Sequence, residues 1–296
     1  MRILSLFVRH GSTKYADALT DLRELHRTRL PSAQHDVLVV DNALDPRTAA
    51  NDGDCVVIAG SNRGWEFSAW DEGLAHVGAK IWDYDFIHLV TSAFRTLHTR
   101  YIERCDERTL ELVAGRGVAV GHIDCYDEPV ELLGNRSQAW IRSSFVFLPP
   151  AELATLGRVV SVTDPGAFFT SDPANPFRLD APLSERYRRY VLDWLTGPGT
   201  GQGTTWHSRF ELTAETLPFF QAKTLAILNE HLLAIRLRRQ GCALVDATWL
   251  ATEARRGRGL RLAAFPDWRE QLAGRDTDAM IVPRPGLATP PQGRVA

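Results

Sequence analysis

Short apolar runs and amphipathic stretches alternate along the first half of the chain. The runs ILSLFVR at 3–9 and DVLVVD at 36–41 are continuous aliphatic segments, which is typical of strands buried on both faces. Between them, the leucines at positions 19, 22 and 25 recur at helical spacing and predict an amphipathic helix over 16–30. The same patterns predict further strands at 55–60, 84–90, 117–123 and 143–148, and further helices at 66–77 and 93–113.

This strand–helix–strand order predicts an α/β fold with a mainly parallel sheet flanked by helices. In such sheets, ligands bind where the strands end at their carboxyl side. We therefore expect the chemistry to lie in the segments that directly follow strands. These segments are 9–13, 41–42, 60–64, 91–92 and 124–128.

The pattern changes near residue 160. A Pro- and Asp-rich loop at 168–182 and a Gly-rich loop at 197–205 separate three predicted helices at 183–195, 213–239 and 246–256. We expect an α/β domain over 1–160, a helical C-terminal extension over 161–280 and a disordered, Pro-rich tail over 281–296.

Composition and charge narrow the class of protein. The chain is 44% hydrophobic and 24% charged, which is typical of a packed globular protein, and its net charge of −2 gives no basic footprint for nucleic acid. No apolar stretch approaches the roughly 18 residues of a membrane span, and the first residues do not resemble a secretion signal. We expect a cytoplasmic protein with at most peripheral membrane contact, whose four cysteines lack metal-binding spacing.

Two segments carry polar residues in positions suited to a ligand. Asp41 ends an apolar strand, where its carboxylate can accept hydrogen bonds from a nucleoside or can simply cap a turn. In GSNRGWEF, Asn62 and Gly64 predict a turn that passes close to another group, and Glu66 opens the next helix. Helix N-termini favour anions, although Glu in a first turn is also an ordinary helix start.

At these residues the chain resembles the family-2-like glycosyltransferases, and more closely the rhamnan-synthesis-type, polysaccharide rhamnosyltransferase-like proteins. The resemblance rests on the order of five segments between residues 36 and 223. They are VVDN at 39–42, NRGWEF at 62–67, FIHLVTSAF at 86–94, WIRSSFVFL at 140–148, and WHSRF with LPFFQAK at 206–223. The resemblance implies a GT-A-like domain and transfer of a sugar from a nucleotide-sugar donor to a saccharide or lipid-linked saccharide acceptor in cell-surface polysaccharide synthesis.

The resemblance also implies roles for individual residues. The donor-binding candidates are Asp41, Asn62, Gly64, Glu66, Thr91, Ser92 and Arg142. The acceptor-side candidates are Trp206, His207 and Lys223, of which Lys223 can equally be a solvated helix residue.

The chain departs from the family where a metal would be held. Val90 and Thr91 stand where the family has Asn-Asp, so the carboxylate that commonly holds magnesium or manganese against the diphosphate is missing. Arg142 stands where the family has Gln, and a guanidinium can neutralise phosphate charge instead. We expect no metal site and no other cofactor, and activity that is independent of a divalent metal.

Inverting glycosyl transfer needs a carboxylate that takes the proton of the acceptor hydroxyl. Asp124 follows the strand predicted at 117–123 and is the first candidate, with Asp127 second in the same predicted loop. The alternative is an acidic surface loop. His122, inside the apolar run, is predicted to be a buried histidine rather than a catalytic one.

Two other functions stay open. VRHGST at 8–13 imitates the Arg-His-Gly signature of histidine phosphatases, which predicts a phosphohydrolase that uses His10, although the pattern that usually follows is missing from 14–35. The missing metal carboxylate also leaves room for a non-catalytic, GT-A-like binding protein.

Overall fold

The structure, a computed structural model, describes residues 1–46, 50–95, 100–200, 206, 208–256 and 265–275. The strands are β1 (Arg2–Arg9), β2 (Gln34–Asp41), β3 (Ala50–Asp52), β4 (Cys55–Ala59), β5 (Phe86–Thr91), β6 (Val118–Gly121), β7 (Ile123–Leu132), β8 (Asn135–Ile141), β9 (Phe145–Leu148) and β10 (Ala243–Asp246). The helices are α1 (Ala18–Arg29), α2 (Glu66–Val77), α3 (Glu107–Glu111), α4 (Pro150–Leu156), α5 (Glu185–Leu195), α6 (Leu217–Arg239), α7 (Ala247–Arg255) and α8 (Trp268–Gly274). Short 3₁₀ helices lie at Gly78–Asp83, Arg100–Arg104 and Pro165–Ala167.

One mixed sheet contains eight of these strands, in the order β10-β6-β9-β5-β1-β2-β4-β3. The strand β9 runs antiparallel to β5 and β6, and β3 runs antiparallel to β4, whereas all other neighbours are parallel. The α/β fold with a mainly parallel sheet flanked by helices, predicted from the hydrophobic pattern, is therefore confirmed. The strands β7 and β8 form a separate antiparallel pair.

The central strand β1 shows why these segments are apolar throughout. Leu4 and Leu6 point to one side of the sheet, where they join an apolar cluster that includes Trp70 of α2. Ile3 and Phe7 point to the other side and pack in a second cluster with residues of α1 and α7. Alternate side chains of a strand face opposite sides of the sheet, and both sides of β1 are covered, so β1 does not alternate between polar and apolar residues. Such alternation is expected only in a strand with one side exposed to solvent. Trp70 is fully buried, and its truncation to Ala would cost about 3–5 kcal/mol.

The second half of the chain contains the helices predicted for it and one strand that was not predicted. α5, α6 and α7 lie within the predicted segments, and α6 begins with Pro218 in its first turn, where a missing N–H costs nothing. The four-residue strand β10 pairs in parallel with β6, so the predicted extension over 161–280 also contributes an edge strand to the sheet. Within the described residues no helix combines the length and apolar character of a membrane span. The tail over 281–296 lies outside the described residues.

The helix predicted over 93–113 is wrong in its extent. Arg100–Arg104 form a 3₁₀ helix, and the α-helix is only Glu107–Glu111. Asp106 starts this helix afresh, because its carboxylate accepts a hydrogen bond from the N–H of Thr109 at 2.8 Å.

The acidic segment 124–128 is not a loop. It lies within β7, which forms a hairpin with β8 around Leu133 and Gly134. Both turn residues have positive φ, 48° and 73°, as a two-residue type I′ turn requires. Polar and apolar residues do not alternate regularly from Ile123 to Leu132, because the register of the hairpin shifts between Cys125 and Val130.

Candidate functional site

The carboxyl end of β2 carries Asp41, whose carboxylate organises the neighbouring loops. Oδ1 accepts hydrogen bonds from the backbone N–H groups of Gly11 and Ala43, at 2.8 and 2.9 Å. Oδ2 accepts from Nε of Arg9 at 2.8 Å. Burial acts to raise the pKa of Asp41, but these hydrogen bonds outweigh it and hold the pKa below its usual value. Asp41 is thus an ionised anchor for the loops that follow β1 and β2.

The next residue, Asn42, connects this edge to the start of α2. Its Nδ2 donates to the backbone carbonyl of Trp65 at 3.2 Å. Its Oδ1 is buried, and no residue in the described part of the chain donates a hydrogen bond to it. A Cβ at Gly60 would lie 2.0 Å from that oxygen, so a larger residue at this position would force the Asn42 side chain to move. The close approach predicted for the GSNRG turn therefore falls at Gly60, whereas a Cβ at Gly64 would meet only ordinary contacts, the nearest at 3.6 Å.

The first turn of α2 is entered through strained backbone. Asn62 has φ 55°, which asparagine tolerates, but Trp65 has φ 54° and ψ −129°, a conformation that bulky residues rarely adopt. The Trp65 carbonyl is held by Asn42 and by the hydroxyl of Ser68, which donates at 3.1 Å. These bonds fix the Trp65 indole at the carboxyl edge of the sheet, one residue before Glu66 begins the helix.

A lysine and two aromatic side chains from the second half of the chain lie near Trp65. The ammonium of Lys223, on α6, lies 5.1 Å from the Trp65 ring centroid and 5.7 Å from that of Trp206. The rings of Trp206 and Phe219 are stacked at 6.2 Å, and the Phe219 side chain is 44% exposed. A cation held between two indole faces is favourable, and here it places a positive charge beside partly exposed aromatic surface.

Two turns further along the same face of α6, Glu230 lies at the point where β8 passes into β9. Its Oε1 accepts from the backbone N–H of Ser143 at 2.7 Å and from the Ser143 hydroxyl at 2.9 Å. The pKa of Glu230 is raised, mainly by burial and also by the neighbouring Glu66 carboxylate. The Ser143 hydrogen bonds and the Lys223 charge act to lower this pKa but do not outweigh burial. Glu66, Lys223 and Glu230 therefore form one electrostatic group.

On the neighbouring hairpin, Asp124 is paired with Arg142. Nε of Arg142 donates to Oδ2 of Asp124, and the ring of His122 lies 3.3 Å from Oδ1. Burial acts to raise the pKa of Asp124, but the Arg142 guanidinium and His122 outweigh it and hold that pKa far below its usual range. The Nη groups of Arg142 donate to no residue within the described ranges.

A buried carboxylate behind this pair supports it. Asp246, at the end of β10, accepts from the backbone N–H of Ile123 at 3.1 Å and caps the first turn of α7. It also pairs with Arg275 at 3.2 Å. His122 lies 3.8 Å from Asp246 and stacks on Tyr101, which confirms that it is a buried histidine. The start of β7 is therefore held by Asp246 on one side and by the Asp124–Arg142 pair on the other.

Several predicted residues lie at this edge in supporting or separate positions. Thr91 ends β5, and its N–H donates to the Ser144 carbonyl, while the N–H of Ser92 donates to that of Val8. Asp127 is exposed on the hairpin, where its Oδ1 accepts a hydrogen bond from the backbone N–H of Glu128 at 2.9 Å. His207 lies outside the described residues.

His10 follows β1, as the phosphatase pattern requires, but its surroundings differ from that pattern. The side chain is exposed. The guanidinium of the preceding Arg9 is bonded to Asp41 and, at 2.6 Å, to Asp52. The nearest arginine is thus committed to two carboxylates and not directed at a phosphate beside His10.

The structure joins the donor candidates to residues that the sequence did not single out. Trp65, Ser143 and Glu230 belong to the same edge as Asp41, Glu66 and Lys223. The segment around Glu230 is predicted only as part of the helix over 213–239, because its leucines dominate the pattern. The available signal was the spacing of seven from Lys223 to Glu230, which puts both charges on one helix face.

No three His, Cys, Asp or Glu side chains cluster as a metal site requires, within the residues described. Two open depressions of about 520 and 500 Å³ lie elsewhere, one between α1 and α3 and one between Pro165–Ala167 and the start of α6. None of the predicted donor-site residues lines either depression.

Comparisons of this chain with protein-family models, with curated proteins and with solved structures find no match.

Proposed function

We propose that this chain is a glycosyltransferase with a GT-A type donor-binding sheet, which moves a sugar from a nucleotide-sugar donor to a saccharide or lipid-linked saccharide. One observation carries the proposal. At the carboxyl edge of the sheet, Lys223 is held against two indole rings and in the field of Glu230. A cation for a diphosphate, aromatic faces for a sugar and a carboxylate for a hydroxyl proton are the groups that this reaction uses.

The nucleoside end of the donor is assigned to the loops after β1, β2 and β4. Asp41 fixes these loops through the N–H groups of Gly11 and Ala43. Beside it, Oδ1 of Asn42 is a buried acceptor without a donor among the described residues. Asn62 lies on the adjoining turn.

The diphosphate is assigned to the two cations of the site. Lys223 supplies a compact charge, and Arg142, fixed by Asp124, has Nη groups that donate to no described residue. The first turn of α2, which is 12 residues long, adds backbone N–H groups near Glu66. These groups can offset the two negative charges of the bound diphosphate and the further charge that develops as the nucleoside diphosphate departs, and they make metal-independent donor binding the expected behaviour.

The sugars are assigned to the indoles of Trp65 and Trp206. Aromatic faces bind the apolar faces of sugar rings, and Phe219 extends this surface to solvent. The resemblance over residues 36–223 extends the proposal to cell-surface polysaccharide synthesis. The exposed position of His10 and the commitment of Arg9 to Asp41 and Asp52 do not support a histidine phosphatase.

Calorimetry against UDP, GDP and dTDP and their sugar conjugates, with manganese or with EDTA, tests the proposal. We expect one nucleotide to bind and its affinity to be insensitive to chelation. Lys223→Met should weaken binding by about tenfold or more, which corresponds to about 1.4 kcal/mol for a lost charge-assisted contact. Lys80→Met, which removes an exposed lysine from the 3₁₀ helix Gly78–Asp83, is the matched control and should bind as the wild type does.

Failure has distinct forms in this experiment. Binding of no nucleotide would contradict the proposed function altogether. Nucleotide binding without any release of nucleoside diphosphate, with every sugar conjugate and acceptor offered, would favour the non-catalytic alternative. Loss of binding on chelation would contradict the assignment of Lys223 and Arg142 as the charges that replace a metal.

A further inference from the structure

We propose that Glu230 is the catalytic base of this site, and that Asp124 is a positioning residue that holds Arg142 toward the departing diphosphate. The proposal rests on the proposed function and deepens it. It reverses the assignment that strand order alone favours, in which Asp124 takes the proton. The two carboxylates differ in their hydrogen bonds and their charged neighbours, and these differences carry the inference.

The first difference lies in the oxygens that remain available. Both oxygens of Asp124 are engaged, Oδ2 by Arg142 and Oδ1 by His122. Glu230 uses only Oε1, which Ser143 holds with its N–H and its hydroxyl. Oε2 accepts no hydrogen bond from any residue in the described ranges. A general base needs an oxygen that can reach the substrate proton, and only Glu230 has one.

The second observation is that Glu230, like Asp124, is held in a fixed position. Glu230 lies in the middle of the 23-residue helix α6, one residue before His231. Nδ1 of His231 lies 2.6 Å from the hydroxyl of Tyr126 on β7, and Asn229 bonds to the backbone of the segment near Val162. These contacts on either side fix the rotation of α6, so that the Glu230 carboxylate is held on a rigid element, as catalytic groups require.

The third observation is a difference in basicity. Burial raises the pKa of Glu230, whereas Arg142 and His122 hold that of Asp124 far below its usual range. A base is most effective when its pKa approaches the working pH, so Asp124 is the weaker base of the two. The charged and titratable groups that face Glu230 are Glu66 from α2, Lys223 from α6, Arg142 from the β8–β9 connection, Tyr126 from β7, and Tyr187 and Tyr190 from α5.

The reaction step balances with these residues. The oxygen of the acceptor hydroxyl forms a bond to the anomeric carbon of the donor, and its proton passes to Oε2 of Glu230. The bond from the anomeric carbon to the diphosphate oxygen breaks, and its electron pair leaves with the nucleoside diphosphate. Lys223 and Arg142 offset the charge that develops on that leaving group. Water can replace the acceptor hydroxyl in the same step, which gives slow donor hydrolysis.

Glu230→Gln tests the base directly, because the amide oxygen can still accept from Ser143. With UDP-, GDP- and dTDP-sugars as probes, we measure release of nucleoside diphosphate and, separately, donor affinity. Glu230→Gln should lower kcat by about 10²- to 10⁴-fold and change donor affinity by less than about threefold. Asp124→Asn should instead weaken donor affinity and raise KM. Glu185→Gln, an exposed change on α5, should leave both quantities unaltered.

A pH profile and a second variant complete the test. The acidic limb of the kcat profile should disappear in Glu230→Gln and persist in Asp124→Asn. Glu230→Asp, which keeps the carboxylate but withdraws it by one methylene, should recover part of the turnover if the Gln variant folds poorly. Full turnover in Glu230→Gln, or equal losses of turnover and donor affinity in that variant, would overturn the proposal while leaving the proposed function intact. A wild type that binds no nucleotide-sugar would overturn both.

Discussion

Two carboxylates at the carboxyl edge of the sheet, Asp124 on β7 and Glu230 on α6, are held in opposite ways. Asp124 is saturated by a guanidinium and an imidazole, and its charge stabilises the fold. Glu230 is bound on one oxygen only, and burial works against its charge. Asp124 on the hairpin therefore has a structural role, whereas Glu230 on α6 is an acid whose ionisation is opposed by burial. The position of the two acids near strand ends does not reveal their different roles, but their hydrogen bonds do.

The largest expected effect belongs to the architectural side of this comparison. Asp246 is completely buried and accepts from three backbone N–H groups as well as pairing with Arg275. Asp246→Ala leaves those donors and the guanidinium without their acceptor, so the free energy of unfolding should fall by about 3–5 kcal/mol. Urea denaturation measures this change, and a loss below about 1 kcal/mol would show that the network behind Asp124 is not structural.

The next effect sharpens the contrast between the two acids themselves. Asp124→Asn removes a charge that the fold favours, and the free energy of unfolding at pH 7 should fall by about 1.5–3 kcal/mol. Glu230→Gln removes a charge that burial disfavours, so stability should rise slightly, by less than about 1 kcal/mol. Both variants are compared by urea denaturation under the same conditions. Changes of the same sign in the two variants would break the comparison.

The third prediction concerns the loss of stability at acidic pH that the buried histidines cause. Burial lowers the pKa of His26 from 6.5 to about 3, and His88 and His231 are lowered as well. The unfolded chain then binds more protons than the folded one, so stability is complete above pH 6.5 and declines as the pH falls from about 6.5 to about 3. Each such histidine contributes a slope of about 1.4 kcal/mol per pH unit in that window.

The variant His26→Leu tests that slope on one residue. It removes a ring that lies 3.4 Å from the Ser5 hydroxyl and stacks on His35. Denaturation midpoints followed from pH 7.5 to pH 4.5 should fall less steeply in the variant than in the wild type. An unchanged slope would mean that His26 does not stay neutral in the folded protein. Glu230 opposes this trend, because its raised pKa means that protonation relieves a cost of burial.

The smallest expected effect concerns the turn before α2. Trp65→Gly removes the strain of a positive φ but also the indole that contacts Lys223. We expect stability to change by less than about 1 kcal/mol, because relief of strain offsets lost contacts, while donor affinity falls several-fold. Thermal denaturation and calorimetry on the same preparation separate the two. Unchanged donor affinity would remove the aromatic faces from the site.

The sequence predicted much of the sheet and little of the detailed site. Continuous aliphatic runs such as 36–41 are strong signals because both faces of the strand are buried, and they were correctly assigned. β10 has only four residues, too few for a pattern to distinguish a strand from a turn. The pattern of β7 does not predict a strand, because the register shift between Cys125 and Val130 interrupts the alternation of polar and apolar residues.

The site residues were missed for a different reason. Asp41 and Asp124 are visible in the sequence because acids at strand ends are conspicuous, but hydrogen-bond saturation is a property of three-dimensional neighbours. Glu230 lies among leucines that explain its helix without it. Its importance arises from Ser143, which is 87 residues away in the chain and meets it only when α6 packs over β8. No local pattern carries that information.

The central claim, that a nucleotide-sugar binds between α2 and α6, is tested most directly by labelling of lysines. The chain has three lysines, Lys14, Lys80 and Lys223, and an amine-specific reagent with mass spectrometry reports on each separately. A saturating nucleotide-sugar should protect Lys223 by about tenfold and leave the rates at Lys14 and Lys80 unchanged, because only Lys223 is assigned to the diphosphate. Equal labelling of Lys223 with and without every nucleotide-sugar tested would contradict the account.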